Sequence, residues 1–296
     1  MAHLGGTLDL APDLTITRMG YGAMQLPGPG VWGPPRDHDE AIAVLRAVVE
    51  AGITHIDTAD FYGFHVSNDL IREALHPYPE GLHLVTKVGA ARTADGEWVM
   101  ERTPETLVAQ VESNLVHLGL ETIDVVNLRM GAPEAAVDEP ISDLVGALVE
   151  LRDAGKIRHI GLSTVTDAQL TEALAITPIV TLQQLYNLVH REDEALLRRT
   201  AELGISYVPY FPLGGFTPLQ SEALASVAAR LESTPQQVAL AWLLQRSPNI
   251  ALIPGTSSRA HLAENIAAAS LELPADALAE LDAIEQTAEP VRAATH

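Results

Sequence analysis

The chain of 296 residues contains no cysteine. Disulfide frameworks, a thiolate nucleophile and cysteine-ligated zinc are therefore excluded. Aromatic residues are also scarce, at 4% of the sequence, whereas hydrophobic residues as a whole make up 47%. The core must consequently be built mainly from aliphatic side chains.

Cations are in short supply as well, with 18 basic residues against 39 acidic ones and a formal net charge of −21. This balance argues against nucleic acid and anionic membranes as general partners, although a local group of donors can still bind a small anion. The chain has no apolar run long enough to cross a membrane, and its start lacks a secretory signal pattern. We expect a cytoplasmic protein that acts on a small molecule, and its oligomeric state is not predicted.

Short apolar runs recur along the chain and alternate with segments of helical periodicity. One helix is predicted to open at Thr103 and Pro104 and to close at Gly119. Alternation of this kind implies right-handed crossovers and a parallel sheet, and eight such units predict a (β/α)₈ barrel. The runs lie at about 19–24, 54–59, 83–88, 122–129, 157–163, 179–185, 206–211 and 250–254.

Three further segments complete the predicted architecture. Alternation around residues 7–10 and 14–17 predicts an N-terminal β-hairpin that plugs the bottom of the barrel. Residues 275–288 predict an extra C-terminal helix, and residues 25–36 are too rich in glycine and proline for regular structure. No composition break divides the chain, so we predict a single domain over residues 1–296.

Charged and polar side chains stand where several predicted strands end, and strand ends face the active site in barrels of this kind. Asp57 and Tyr62 end or follow the second strand, Lys87 lies in the third, and Arg129 ends the fourth. Taken singly, each has a structural interpretation, and Arg129 alone is typical of a side chain that reaches out of a strand end to solvent. Together they predict a shared site, because an Asp–Lys pair is one way to bury both charges.

Such a set permits a specific reaction. A tyrosine hydroxyl, with a pKa of about 10, is a poor acid near neutral pH, but an adjacent ammonium favours the phenolate. The tyrosine can then protonate a carbonyl oxygen while hydride arrives at carbon. No side chain supplies hydride, so a redox cofactor is required.

The motifs that carry these residues resemble those of the aldo-keto reductases over nearly the whole chain. They read, in order, HIDTADFYG, LVTKVG, IRHIGLSTV, YVPYFPLGGF and LIPGTSSRAHLAENIAA. The resemblance implies a (β/α)₈ barrel that binds NADPH or NADP⁺ without a Rossmann domain, which agrees with the incomplete glycine fingerprint in GYGAMQ. It makes Tyr62 the general acid, Lys87 the group that tunes it and Asp57 the partner of Lys87.

The same resemblance assigns cofactor contacts. Ser163, Thr164 and Gln183 match the positions that hold the nicotinamide amide, with Thr164 in place of the usual asparagine, and Tyr210 matches the ring that stacks on the nicotinamide. Further positions match the walls of the cofactor site and the loop beside the pyrophosphate. These are Gly22, Met24, Asp57, Phe211, Pro212, Leu213, Gly214, Gly215 and Ile253.

Segment 254–265 resembles the part of the family that binds the adenosine phosphate. Thr256 and Ser257 match donors to the 2′-phosphate, and Glu264 and Asn265 match residues that reach the adenine. The family often has a lysine and an arginine here, but this chain has Gly255 and His261, with Arg259 nearby. The resemblance therefore implies that the cofactor is NADPH and that fewer cations contact its 2′-phosphate than is usual in the family.

Arg129 departs from the family pattern, which usually has a histidine at the end of the fourth strand. Arginine brings five donors and a permanent charge in place of one donor. We derive two hypotheses: that Arg129 assists Tyr62, and that it selects substrates with an anionic oxygen near the carbonyl.

Longer stretches narrow the resemblance to a bacterial branch of the family, the NADP-dependent pyridoxal reductases. They are YGAMQLPGPGVWGPPRD, DVVNLR, FPLGGFTPLQ and VALAWLLQRSPNI. The implied reaction is reversible reduction of pyridoxal to pyridoxine, although a relative of this kind could act on another carbonyl. Besides Tyr62 and Arg129, the candidates for substrate contact are Trp32, His65 and Asn127, with Trp98 as a further possible wall.

Two other classes of protein stay open. A barrel metallohydrolase would use His55, Asp57 and Asp60, but Lys87 would repel its metal, and we predict no metal site. A non-catalytic barrel that binds NADPH as a sensor would have no need for intact Asp57, Tyr62 and Lys87.

Overall fold

The computed structural model describes residues 3–132, 137–214 and 221–286. Its strands are β1 (Thr7–Ala11), β2 (Leu14–Thr17), β3 (Tyr21–Gly22), β4 (His55–Asp57), β5 (His83–Val88), β6 (Ala90–Arg92), β7 (Trp98–Met100), β8 (Ile123–Arg129), β9 (Ile157–Ser163), β10 (Thr181–Leu185) and β11 (Ser206–Tyr210). Its helices are α1 (His38–Glu50), α2 (Val66–Leu75), α3 (Pro104–Leu118), α4 (Ser142–Asp153), α5 (Asp167–Leu174), α6 (Glu194–Glu202), α7 (Glu222–Arg230), α8 (Pro235–Arg246), α9 (Arg259–Ala267) and α10 (Ala275–Asp282). Short 3₁₀ turns span Ala23–Gln25, Pro29–Val31 and Ala268–Ser270.

Seven parallel strands form one sheet in the order β3-β4-β5-β8-β9-β10-β11. The segment after α8 closes this sheet, because Ile250 bridges Tyr207 in β11 while Gly255 bridges Gly22 in β3. Its backbone also exchanges hydrogen bonds with the first strand segment, including one of 2.7 Å from the Leu252 N–H to the Arg18 carbonyl. The predicted (β/α)₈ barrel is confirmed, with the eighth strand present as isolated bridges.

Helix boundaries follow the capping residues of the sequence. Thr103 caps α3 in a reciprocal capping box with Thr106, and Pro104 occupies the first helical turn. The helix ends at Gly119, whose φ of 67° lies in the left-handed region that favours glycine. The predicted start and end of this helix are therefore confirmed. The C-terminal helix ends at Asp282, earlier than predicted, and residues 287–288 of that prediction lie outside the described residues.

The N-terminal hairpin β1–β2 packs against the inside of the barrel. Its Leu14 and Ile16 are buried in one cluster with Val85, Val125 and Val208, which come from three different barrel strands. Apolar residues at alternate positions of β2 face this interior, as the alternation in the sequence requires. The predicted plug is thus confirmed.

A second hairpin, β6–β7, follows β5 and was not predicted. Arg92 in β6 fixes it to the glycine- and proline-rich loop after β3, donating to the carbonyls of Gly30 and Val31 at 2.7 Å each. The guanidinium of Arg92 also lies 3.8 Å from the ring centre of Trp98. This contact places the Trp98 ring 6.5 Å from that of Tyr62. Among the described helices, none is long and apolar enough to cross a membrane.

Candidate active site

A buried ion pair lies at the carboxyl ends of β4 and β5. The ammonium of Lys87 donates a short hydrogen bond to the Asp57 carboxylate and another of 3.0 Å to the Thr58 carbonyl. Lys87 and Asp57 are 3% and 2% exposed. Burial of both charges is tolerated because each is paired and hydrogen-bonded.

The protonation of Lys87 follows from its surroundings. Burial is the largest effect on its pKa and lowers it, but the Asp57 carboxylate and the Tyr62 hydroxyl together raise it by more. The net result is a raised pKa, so Lys87 is charged throughout the neutral range.

Tyr62 lies beside this pair, with the ammonium of Lys87 5.0 Å from the centre of its ring. The edge of Phe61 packs against the ring at 5.3 Å, and Tyr62 as a whole is 5% exposed. Lys87, Asp57 and Tyr62 thus meet as the resemblance implied. A phenol held next to a fixed cation can lose a proton to a neighbouring oxygen with little reorganisation.

Arg129 is half-buried at the end of β8 and does not extend into bulk solvent. Its Nε donates to the Gly131 carbonyl at 3.1 Å, and its guanidinium carbon lies 5.9 Å from the ring centre of Tyr210. It lines the same cavity as Tyr62 and Lys87. Among the described residues Arg129 forms no salt bridge, so its charge is available to an anionic ligand.

This cavity has a volume of about 290 Å³. It contains twelve of the residues singled out in the sequence, namely Gly22, Met24, Asp57, Tyr62, Lys87, Arg129, Tyr210, Phe211, Pro212, Leu213, Ile253 and Gly255. Six lining residues were missed, namely Gln25, Leu224, Pro235, Gln236, Ala239 and Pro254. Gln25 ends the short turn after β3 and Pro254 lies within the segment already singled out, so both could have been found from their positions, whereas the other four belong to α7 and α8.

The residues predicted to hold the nicotinamide amide lie next to the ion pair. The amide nitrogen of Gln183 donates to Asp57 Oδ2 at 2.5 Å, and its buried amide oxygen has no hydrogen-bond partner among the described residues. Ser163 and Thr164 are buried with their hydroxyl oxygens 3.4 Å apart. Thr164 has a φ of 55°, a backbone conformation that asparagine adopts more readily than a β-branched residue.

The residues predicted for the adenosine end lie in the turn before α9 and along that helix. Thr256 is buried and accepts a hydrogen bond of 3.1 Å from the Ser258 N–H, while Ser257 is exposed and lines a second cleft. This second cleft shares Met24 and Gln25 with the main cavity. Of the remaining predicted residues, Arg259, His261 and Glu264 are exposed, Asn265 is buried, Gly214 has a φ of 91°, and Gly215 lies outside the described residues.

Three residues proposed for substrate contact do not line the main cavity. Trp32 packs on Phe64, with ring centres 6.0 Å apart. His65 Nδ1 donates a hydrogen bond of 2.7 Å to the Asp60 carboxylate, which raises the pKa of the imidazole. Asn127 is fully buried inside the barrel and accepts a hydrogen bond of 2.7 Å from Thr181. Their predicted roles in substrate binding stay predictions.

The geometry does not favour the metallohydrolase alternative. His55 is enclosed inside the barrel, where it is 2% exposed and burial lowers the pKa of its imidazole to about 4. Asp57 is already bonded to Lys87, whose ammonium would repel a cation. The nearby group of Asp60, His65 and His117 offers three ligand atoms, but the two imidazoles stack in parallel, with 5° between their planes. The Nδ1 of His65 is already hydrogen-bonded to Asp60, and that of His117 to Asp69.

Comparison with known proteins identifies the family. Residues 18–286 match the model of the Aldo/keto reductase family, so the chain belongs to that family, as the motifs predicted. Pyridoxine 4-dehydrogenase of Escherichia coli (strain K12) is 54% identical over 274 residues, covering 92% of this chain and 96% of the relative. An uncharacterized oxidoreductase of Schizosaccharomyces pombe is 39% identical over 282 residues, covering 95% and 90%.

Solved structures agree with this assignment. An aldo-keto reductase of Klebsiella pneumoniae, determined in complex with NADPH, is 25% identical and has a TM-score of 0.75, the match covering 94% of each chain. The chain is therefore an oxidoreductase of the aldo/keto reductase family, whose members act on small carbonyl substrates.

Proposed function

We propose that this protein transfers hydride between NADP(H) and a small aldehyde, and that the aldehyde is pyridoxal, with pyridoxine as the alcohol. The observation that carries the proposal is the buried Asp57–Lys87 pair beside Tyr62, in a cavity that also contains Arg129. Its support from the comparisons is the 54% identity to a pyridoxine 4-dehydrogenase that is matched over nearly its full length.

The residues around the cavity fit the cofactor. The unpartnered amide oxygen of Gln183 is a buried acceptor, which suits the amide N–H of a nicotinamide. The ring of Tyr210 lines the cavity and offers a flat face for stacking. When bound, NADPH supplies the hydride. Ser163, Thr164 and Gln183 would orient its amide, and the segment from Thr256 to Asn265 would hold its adenosine phosphate.

Tyr62 acts as the general acid in this proposal. The Tyr62 hydroxyl would give its proton to the carbonyl oxygen as the carbonyl carbon is reduced, so the aldehyde would become an alcohol. Lys87 stabilises the negative charge that this leaves on the phenol oxygen, and Asp57 keeps Lys87 charged and in place. Water then restores the proton of Tyr62. In the reverse reaction, the deprotonated Tyr62 accepts the proton of the alcohol.

Arg129 gives the site its selectivity for pyridoxal. The ring 3-oxygen of pyridoxal is ortho to the formyl group and readily becomes anionic, so a forked guanidinium can engage both oxygens. A neutral histidine at this position would donate to the carbonyl oxygen alone. Arg129 also adds a second cation near Tyr62, and by this route it assists proton transfer.

Replacing Arg129 with methionine is expected to lower kcat/KM for pyridoxal about 100-fold and that for benzaldehyde about 10-fold or less, because benzaldehyde lacks the anionic oxygen. Steady-state rates with the two aldehydes provide the measurement. Equal losses on both would refute the selectivity role and leave only the assistance to Tyr62. Arg129→His, which restores the residue usual in the family, should recover benzaldehyde reduction preferentially.

A panel of aldehydes and ketones tests the proposal as a whole. The purified protein is mixed with NADPH and each carbonyl, and NADPH oxidation is followed by its absorbance. Pyridoxal is expected to give the highest kcat/KM in the panel. Faster turnover of another carbonyl would favour the alternative of a reductase from a different specialised pathway. No turnover of any carbonyl, combined with tight NADPH binding, would favour the non-catalytic barrel.

A further inference from the structure

Glu40 in α1 holds Arg259, the first residue of α9. One carboxylate oxygen accepts a hydrogen bond of 3.0 Å from the backbone N–H of Arg259. The other accepts one of 3.0 Å from Nε and lies 2.9 Å from Nη2 of the same residue. A single carboxylate therefore uses both the helix N-terminus and the guanidinium.

Glu40 occupies the backbone N–H and the guanidinium of Arg259. An anionic group of a ligand bound at this helix end would need the same hydrogen-bond donors. The N-terminus of α9 carries a partial positive charge, and Arg259 is the cation attached to it. The second cleft, which leads away from the active-site cavity, is lined by Ser257, two residues before Arg259. It is also lined by Asp37, whose carboxylate accepts a hydrogen bond of 3.0 Å from the Glu40 N–H.

Charges of both signs surround the pair. Asp37 caps α1, and Asp39 and Glu40 follow in its first turn. Asp37 lines the second cleft together with the cation Arg36, and Asp39 lines a surface groove together with Arg259. A doubly charged phosphate at this segment is repelled by the carboxylates and attracted to Arg36 and Arg259.

We propose that Glu40 is a specificity-determining residue that competes with the 2′-phosphate of NADP(H) for Arg259. This inference rests on the proposed function, and specifically on the adenosine phosphate lying at the start of α9. The competition weakens binding of the phosphorylated cofactor, leaves binding of NADH unchanged and speeds the release of NADP⁺. Since product release limits the turnover of many enzymes, faster release of NADP⁺ would raise kcat.

The test is the replacement Glu40→Gln, which keeps a hydrogen-bond acceptor but removes the charge. Dissociation constants for NADPH and NADH are measured by isothermal titration calorimetry, and NADPH release is followed by stopped-flow fluorescence. We expect NADPH to bind about 5-fold more tightly and to leave more slowly by a similar factor, with NADH binding unchanged. The matched control is Glu73→Gln, because Glu73 lines the surface groove that Arg259 also lines but contacts His38 and not Arg259.

Arg259→Met, alone and with Glu40→Gln, separates the inference from the proposed function. Arg259→Met should weaken NADPH binding, and in its presence Glu40→Gln should strengthen binding by less than it does in the wild-type protein. If Arg259→Met leaves NADPH affinity unchanged, the proposed phosphate position is wrong. If it weakens NADPH binding but Glu40→Gln does not strengthen it, the competition is refuted while the proposed function stands. Equal weakening of both cofactors by Glu40→Gln would make Glu40 a structural cap of α9 and would also refute the competition.

Discussion

Replacement of Tyr62 with phenylalanine is expected to lower kcat for pyridoxal reduction about 10³-fold, because general acid catalysis by a positioned group is worth roughly 10²–10⁴. The substitution keeps the ring, and with it the packing against Phe61 and Trp98. NADPH binding and thermal stability should therefore change little. The measurement is the steady-state rate combined with a calorimetric titration of NADPH.

Tyr78→Phe serves as the matched control for this substitution. The Tyr78 hydroxyl donates to the Leu118 carbonyl at 2.6 Å, and Tyr78 does not line the cavity. Its loss should leave kcat nearly unchanged. A Tyr62→Phe variant that retains more than about a tenth of wild-type kcat would show that another group supplies the proton.

Replacement of Lys87 with methionine is expected to destabilise the fold by about 3–5 kcal/mol, because it leaves the buried Asp57 carboxylate without its cationic partner. Activity should fall at least as far as in Tyr62→Phe, since the phenol then loses the cation beside it. Urea unfolding gives the free energy of unfolding, and the same preparation gives the rate.

The double variant Asp57→Asn with Lys87→Met distinguishes the two effects. It removes both charges, so it should regain most of the stability that Lys87→Met loses. Activity should stay low, because the cation is still missing. A stability loss below about 1 kcal/mol in Lys87→Met alone would contradict the description of a tightly coupled buried pair.

The barrel could be predicted because its strands and helices carry strong local signals. The capping residues Thr103 and Gly119 and the buried apolar strands each point to one structure. The β6–β7 hairpin could not be predicted from the sequence. Its stability depends on Arg92, which packs on Trp98 and donates hydrogen bonds to a distant loop. The bonds from Arg92 to Gly30 and Val31 span 62 and 61 positions of the sequence, and none of these contacts leaves a periodic pattern.

Part of the candidate site could likewise be predicted from the sequence, and part could not. Asp57, Lys87 and Arg129 could be found because parallel strands end on one face of a barrel. The cavity residues on α7 and α8 could not be predicted, because the apolar pattern of a helix does not show which of its positions face a ligand. Leu224 and Ala239, for example, read as ordinary core residues.

The ion pair between Arg259 and Glu40 could not be inferred from the family resemblance. The motif indicated a cation near the phosphate position, but its partner Glu40 lies 219 positions earlier in the chain. Only the packing of α1 beside α9 brings the two together.

The expected cytoplasmic location and single-domain organisation stay predictions, as do the individual roles assigned to the site residues.

The most direct test of the central claim is a transfer experiment with NADPH that carries deuterium on its reactive face. The protein is incubated with this cofactor and pyridoxal, and the alcohol product is analysed by mass spectrometry. The account predicts pyridoxine that carries one deuterium on the carbon of the former formyl group, and only traces of it with Tyr62→Phe. Unlabelled pyridoxine, or no pyridoxine from the wild-type protein, would contradict it.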